Sequence, residues 1–446
     1  MKKKVDFVFR YEHKVRELES IMLLRIELEK RGYTVDFIGN YEYDRKDYPQ
    51  PRVFVAPAVY SDGQLLGDLT TFGILSKIAS LQWEQLIGIK QEEDPNGFHN
   101  IKGLGQRIIT FCWGQRSHDR FVNTGVMADK VPIVGQINTD LLRGDFRSLL
   151  LSKIELSEKY NLDGNKEWYL FISSFSYCDM EDSQIKICIK ALGEKDFNLF
   201  TDVSFRSREI ILDWFEKKLK ECPDIIVIYR PHPDETEKCG RIKNMESVYP
   251  NFRVIQHESI KHWINACDKI YNWFSTGGID AVVLEKPLRL LRPFPIPVHL
   301  DYRIMSCANQ IHSHREFDID YFNLDNKNVY DKMMFSSYYY LPERPVYMSI
   351  CDILEEMLNS DKYNTVYTKS EKMIIMKNHY WGLVMRPFKS LFLKIPSKYL
   401  FGALKERKKK KLDSIAVLKR GYDKNVASPK DINEIKERLL PIIYRQ

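Results

Sequence analysis

The sequence predicts an α/β protein built from two doubly wound halves with parallel sheets, followed by a helical basic tail. Three observations carry this prediction. The chain opens as a strand, an amphipathic helix and a second strand. Further on, DIIVIYRPHP contains Ile225–Tyr229, a continuous apolar run of the kind found in strands buried on both faces of a parallel sheet. Later still, YNWFSTGGIDAVVLEKP (Tyr271–Pro287) reads as a strand, a Ser-Thr-Gly-Gly turn and a helix that ends at the proline. Both of the later stretches place polar residues just past a strand end, where open α/β sheets bind their ligands.

Length and composition suit this plan. The 446 residues are 44% hydrophobic and 13% aromatic, enough for about two domains and their cores. The expected boundaries are 1–150 and 165–345 for two Rossmann-like domains, and 346–446 for the C-terminal helical segment. Eight cysteines are scattered with no C-x-x-C pair, so neither a zinc site nor a disulfide framework is indicated, and a reducing cytoplasm fits. The basic start, MKKKVDFVF, carries too short an apolar run for a signal peptide. No stretch approaches the roughly 18 continuous apolar residues of a membrane span. The net charge of +7 is unevenly placed. From Glu371 to Gln446 there are 19 Lys/Arg against 7 Asp/Glu, a balance of +12 that leaves −5 for the rest. That is a mildly acidic body with a basic tail, not a uniformly basic nucleic-acid binder.

In the first half, Lys4–Arg10 is a strand, about Val15–Arg31 a helix with Leu18, Met22, Leu23, Ile26 and Leu28 on its apolar side, and Thr34–Ile38 the second strand. Gly32 caps the helix. The unit lacks G-x-G-x-x-G, which argues against NAD or FAD. Arg16, Glu17 and Glu19 open the helix. Acidic residues there serve the helix dipole, or face a cleft. Arg52–Ala56 is a third strand. Glu84, in ASLQWE, stands before the loop Lys90–Gly105 and is a general-base candidate, or else a solvated side chain. Ile108–Cys112 and Lys130–Val134 are further apolar runs.

The second half starts at Trp168–Ile172. Ser173 and Ser174 follow as a possible phosphate or sugar contact, or a helix cap. Arg208–Glu221 is an amphipathic helix leading into Ile225–Tyr229. Arg230, Pro231, His232 and Pro233 come next, and two prolines aim His232. Phe252–Ile255 is a short strand followed by Glu258. In the central turn, Ser275 and Thr276 supply hydroxyls. Gly277 and Gly278 let backbone approach a ligand without a Cβ in the way, and a helix dipole stands behind them, as suits a phosphate. Glu285, nine residues after Thr276, reaches a ribose hydroxyl or caps the surface.

The tail changes character. Trp381–Leu404 mixes Trp, Phe, Leu and Ile with Arg386, Lys389, Lys394 and Lys398, and Lys405–Lys411 is the cationic run KERKKKK. Amphipathic and basic together mark a segment lying on an anionic lipid surface. The competing reading is a helix that returns to pack on the body. No RNP or KH pattern points to RNA.

Several stretches, in order and spacing, resemble bacterial surface-carbohydrate biosynthesis proteins, the GT-B glycosyltransferases and relatives that build capsules, lipopolysaccharides or teichoic chains. They are VRELESIMLLRIELEKRGYTV, LQWEQ at Leu81, WGQRSHDRF at Trp113, VGQINTDLLRGDFR at Val134, FISSFS at Phe171, YRPHP at Tyr229 and STGGIDAVVLEKP at Ser275. In the fourth, Gln136, Ile137 and Asn138 depart from the family pattern. The resemblance runs over about residues 10–295. It implies a GT-B fold with two Rossmann-like domains facing across a cleft, the first for the acceptor and the second for a nucleotide sugar. The His-Pro motif followed by a Ser/Thr pair is similar to Kdo- and sialic-acid-type transferases that use CMP-sugars. On that likeness His232 contacts the nucleotide phosphate, and Ser275 and Thr276 bind it from the other side. CDP-glycerol transferases and UDP-GlcNAc 2-epimerases have a similar layout. The implied function is transfer of a sugar, such as a CMP-activated ulosonic acid, to a lipid-linked or surface glycan on the inner face of the bacterial plasma membrane. Arg230, His232, Ser275, Thr276, Gly277 and Gly278 would stabilise the leaving nucleotide. Ser173, Ser174, Glu258 and Glu285 complete the donor site. No D-x-D motif occurs, so neither metal nor cofactor is expected. The first choice of base is Glu84, then Glu17 or Glu19.

Overall fold

In the computed structural model the described residues are 4–445 apart from 43–44, 46–47, 181, 233–234, 236–238, 323–329, 395–421 and 423. The chain divides into two compact units. The first is Met1–Gln85 with Pro95–Leu141 and Tyr339–Gln446, and the second is Leu86–Asp94 with Leu142–Tyr338. The C-terminal stretch therefore belongs with the N-terminal unit, which differs from the separate third segment expected at 346–446. Residues 142–164 join the second unit, where Lys153 pairs with Asp268 at 2.7 Å.

The first unit holds β1 (Lys4–Tyr11), β2 (Val35–Gly39), β3 (Gln50–Ala56), β4 (Ile78–Ser80) and β5 (Ile109–Thr110) in the order β2-β1-β3-β4-β5. Every pair is parallel. Phe7 faces Val35 on one side and Val53 on the other, so β1 is central and its Phe7, Val8 and Phe9 are fully buried. The crossovers reverse direction between β1 and β3, which opens a crevice at their carboxyl ends. Helix α1 (Lys14–Lys30) links β1 to β2 and buries Leu18, Met22, Leu23, Ile26 and Leu28 as its spacing predicts. Helix α2 (Asp62–Phe72) follows β3. The run Lys130–Val134 forms only a single bridge, Cys112 to Ile133, instead of a strand.

The second unit holds β6 (Glu167–Ile172), β7 (Ile225–Arg230), β8 (Phe252–Val254), β9 (Lys269–Asn272), β10 (Leu288–Leu291) and β11 (Asn309–Ile311) in the order β11-β10-β9-β6-β7-β8. All pairs are parallel. Counted within the unit this is the Rossmann order, with its switch point between β6 and β9. Ile225–Tyr229 is buried throughout, as a strand covered on both faces must be. Helix α3 (Glu194–Glu221) starts well before the expected Arg208 and packs Trp214 and Phe215 on Phe317. Two short helices, α4 (Ile260–Ala266) and α5 (Asp280–Val283), flank β9 in the chain.

Among the described residues, three C-terminal helices belong to the first unit. At the start of α6 (Val346–Asn359), the backbone N–H groups of Val346 and Tyr347 donate to the two carboxylate oxygens of Asp140, at 3.0 and 2.8 Å. The acid in VGQINTDLLRGDFR is thus a helix cap, placed where the dipole favours a negative charge. Helix α7 (Lys369–Lys394) packs on α2 and buries Ile375. Helix α8 (Pro429–Ile443) opens with a Ser428–Asp431 capping box and lies on α1. Lys436 pairs with Glu29 at 2.8 Å, Arg438 pairs with Glu19, and Lys30 donates to the Ile443 carbonyl at 2.9 Å. The basic tail expected as one piece is therefore divided, since part of its charge is met by the acids of α1. The cationic run 405–411 lies outside the described residues.

Candidate functional site

The carboxyl edge of the second sheet gathers most of the predicted donor residues. β6 ends at Ile172 and passes into Ser173–Ser174. β7 passes into Pro231–His232, and β9 passes into Ser275–Gly278. Neighbouring strands lie about 4.8 Å apart, so the axes of β7 and β9, which flank β6, are roughly 10 Å apart. The His232 loop and the Ser275 turn therefore leave the sheet on either side of the two serines, and the Ser275 turn stands at its switch point.

The turn is held from within. The Asn272 side chain, fully buried, accepts from the Ser275 N–H at 2.9 Å and donates to the Ser275 carbonyl at 2.7 Å. The Gly277 N–H donates to Ser275 Oγ at 3.3 Å, and the Gly278 N–H donates to the Ser275 carbonyl at 3.2 Å. These two N–H groups thus close the turn, where the sequence reading had aimed them at a phosphate. A Cβ on Gly278 would lie 2.6 Å from Asn272 Nδ2, so this glycine makes room for Asn272. The helix expected behind the turn is a 3-10 turn, Thr276–Ile279, and then four residues of α5. Glu285 (φ 56°) ends it in the left-handed region and Pro287 follows, so no long helix dipole backs the turn. The Thr276 hydroxyl has no partner among the described residues, and the Ser275 hydroxyl keeps its own proton to donate.

The His232 loop is anchored by a residue the sequence reading passed over. The carboxylate of Glu235 accepts from the Tyr229 hydroxyl at 2.6 Å, from Ser173 Oγ, and from the His232 N–H at 3.2 Å. Ser173 is therefore committed to the loop. Ser174 Oγ accepts from the Phe274 N–H at 3.1 Å and ties β6 to the end of β9. Arg230 turns away from the turn. Its guanidinium donates to the carbonyls of His257 (2.8 Å) and Glu258, and burial lowers its pKa to about 10. Glu258 sits at φ 66° and pairs with Lys159 at 2.5 Å. Only a signal such as recurrence of the acid in R-P-H-P-D-E in related chains would have flagged Glu235, since a lone acid in a loop reads as solvated.

Directly after the turn, the half-buried Asp280 carboxyl feels the charge of the buried Lys261 ammonium. Burial pushes Asp280 up to about 6, against the pull of Lys261, and lowers Lys261. A carboxyl raised from 3.8 stabilises the fold fully below pH 3.8, and that contribution is lost as pH rises through about 6. Asp280→Asn is therefore expected to gain stability relative to wild type between pH 4 and pH 7, on top of any constant offset. Urea midpoints of both proteins at the two pH values check this, and parallel profiles would contradict it.

In the first unit, Arg16, Glu17 and Glu84 meet at the carboxyl edge near the β1–β3 switch point. Arg16 reaches Glu17 at 3.0 Å and Glu84 at 3.2 Å, and His99 Nε2 lies 3.6 Å from Glu84. His99, then Arg16, hold Glu84 down at about 2. Burial raises Glu17, which is fully enclosed and accepts the Glu12 N–H at 2.8 Å. Glu19 is not part of this group, because it pairs with Arg438. Among the described residues, no group of three or more His, Cys, Asp or Glu is arranged to hold a metal ion.

No protein-family model matches this chain, and no curated protein matches it either. Solved structures do. The wall teichoic acid polymerase TagF, soaked with CDPG, aligns over 80% of this chain and 90% of its own, with a TM-score of 0.52 at 12% identity. A variant of the same polymerase gives 0.53 at 10% identity over the same shares. The fold is GT-B. The two parallel sheets described above are its two Rossmann-like domains. The S. aureus MnaA–UDP co-structure is also similar, with a TM-score of 0.49 at 10% identity over 80% of this chain and 97% of that one.

Proposed function

We propose that the protein is a glycosyltransferase that moves a sugar from a nucleotide donor to a lipid-linked or surface glycan, working peripherally on the inner face of a bacterial plasma membrane. The donor class we favour is a CMP-activated ulosonic acid, such as a Kdo or nonulosonic acid. The observation that supports this reading is that the His232 loop and the Ser275–Thr276 turn leave the same edge of the second sheet, from the two strands that flank β6, in a GT-B fold. In such a transfer the glycosidic bond to the nucleotide phosphate breaks and the phosphate takes up the negative charge. Fixed donors aimed at it lower the barrier without rearranging, and no metal is required. Ser275 and Thr276 would donate hydroxyl hydrogens from one side and His232 from the other. Ser173, Ser174, Asn272 and Glu235 hold those groups in place. The acceptor hydroxyl must lose a proton, and we assign that step to the Arg16–Glu17–Glu84 group. Glu84 is the exposed one of its two carboxylates.

A second reading is CDP-glycerol-type transfer of a polyol phosphate, which the TagF likeness favours because that structure was soaked with CDPG. Nucleotide-sugar epimerisation is a third reading, and it needs no acceptor. Thermal melting with CMP, CDP, UDP and GDP separates them. A ligand at 100 times its Kd adds about 2.7 kcal/mol, or roughly 5–10 °C for domains of this size. CMP is expected to stabilise most. CDP would favour the second reading. A UDP response, with UDP-GlcNAc converted in the absence of acceptor, would favour the third. No shift with any of the four would remove the donor site.

A further inference from the structure

Helix α7 has two unlike sides. On one, Ile375 is buried, His379 Nδ1 donates to the Thr70 carbonyl at 2.9 Å, and Arg386 donates to the Thr71 carbonyl at 3.3 Å while its guanidinium lies 4.0 Å from the Tyr48 ring centre. A Cβ on Gly382 would lie 2.7 Å from the Thr70 methyl, so the helix is seated closely on α2. Residues 375, 379, 382 and 386 recur every three or four positions and form one face. On the opposite face Met373, Ile374, Tyr380, Trp381 and Val384 are 69, 50, 61, 66 and 57% exposed. At 100° per residue these five fall within about 120° of one another, with exposed Lys377 among them. A solvated helix face ordinarily carries charge, and an apolar stripe of this kind marks a contact surface.

Charge selects the occupant. From Lys372 to Arg420 the sequence has 14 Lys/Arg against 2 Asp/Glu. A stripe of Trp, Tyr and aliphatic side chains continuous with so cationic a segment matches an anionic bilayer interface. The aromatic rings lie at headgroup depth and the lysine stems extend outward. Among the described residues no helix is long and apolar enough to cross a membrane. We infer that the Met373–Val384 face of α7, seated on α2, lies in the interfacial layer of an anionic membrane. This rests on the reading of a peripheral enzyme with a membrane-held acceptor. It deepens that reading by placing the contact on a helix fixed to the acceptor-side domain.

The test is co-sedimentation of the full chain with vesicles of phosphatidylglycerol and phosphatidylcholine, and with phosphatidylcholine alone. Wild type is expected to bind the anionic vesicles, less so as salt rises. Trp381→Ser with Val384→Ser, both at exposed positions, is expected to bind at least roughly tenfold more weakly, with unchanged melting temperature and unchanged nucleotide shift. Should the pair unfold, Trp381→Ser alone serves. Equal binding by variant and wild type would overturn the inference and leave the peripheral reading intact. No binding by wild type to either vesicle would overturn both. A wild-type dimer in sedimentation that the variant abolishes would overturn it in favour of a second copy of the chain.

Discussion

Replacing His232 by alanine is expected to lower sugar transfer by about 10²–10³-fold, the usual cost of removing one fixed donor from a developing anion. The fold should be unaffected, with the melting temperature within a few degrees of wild type. The imidazole is only partly buried, and the backbone of this residue carries bonds that tie the loop. The His232 N–H donates to Glu235, and its carbonyl accepts from Gln256 at 3.5 Å. Glu235 is tied in turn to Tyr229 at the end of β7. Alanine keeps every one of these bonds. A radiolabelled-donor assay with purified acceptor checks the rate, and wild-type turnover in His232→Ala would remove the residue from the site. A loss confined to KM would instead mean that His232 binds donor and transition state alike.

The largest expected stability effect is at Asn272. Asn272→Ala removes the two side-chain bonds to the Ser275 turn, so the Ser275 N–H loses its partner and the Ser275 carbonyl keeps only the Gly278 N–H. A polar group left unpaired costs about 1–3 kcal/mol, and the cavity left by the buried amide adds to that. A loss of roughly 2–5 kcal/mol corresponds to a fall of about 5–15 °C in melting temperature. The nucleotide-induced shift should disappear with it, because Ser275 and Thr276 lose their fixed geometry. Gly278→Ala is expected to be damaging in wild type, since its methyl meets Asn272 Nδ2 at 2.6 Å. In the Asn272→Ala background that collision is gone. The two changes together should therefore cost less than their sum, and a thermal double-mutant cycle measures the difference. Strict additivity would show that the glycine serves some purpose other than clearing space for the amide.

The strands that carry the site were legible because burial on both faces leaves its mark directly in the sequence. Lys4–Arg10 and Ile225–Tyr229 read as strands and are strands. The polar residues that follow Ile172, Arg230 and Asn272 do stand at one edge of one sheet. Their roles were less legible. Ser173, Ser174 and Arg230 look like ligand groups by type, yet each is bonded to backbone or side chains of a neighbouring loop. Asn272, Glu235 and His99 carried no local signal, because their partners are set by side-chain reach after folding. The C-terminal helices show the same limit. Both α6 and α8 pack on α1, and nothing local in either segment names that partner.

The sequence by itself determined the α/β class, the doubly wound halves and the strand ends at which polar groups cluster. These follow from local periodicity and from turn chemistry, which act over a few residues. Tertiary structure alone decided which strands neighbour β6, that Asn272 and not a helix dipole holds the turn, and that the chain's last helix returns to α1. Those outcomes depend on contacts between residues tens to hundreds of positions apart, where only the folded packing fixes which donor meets which acceptor.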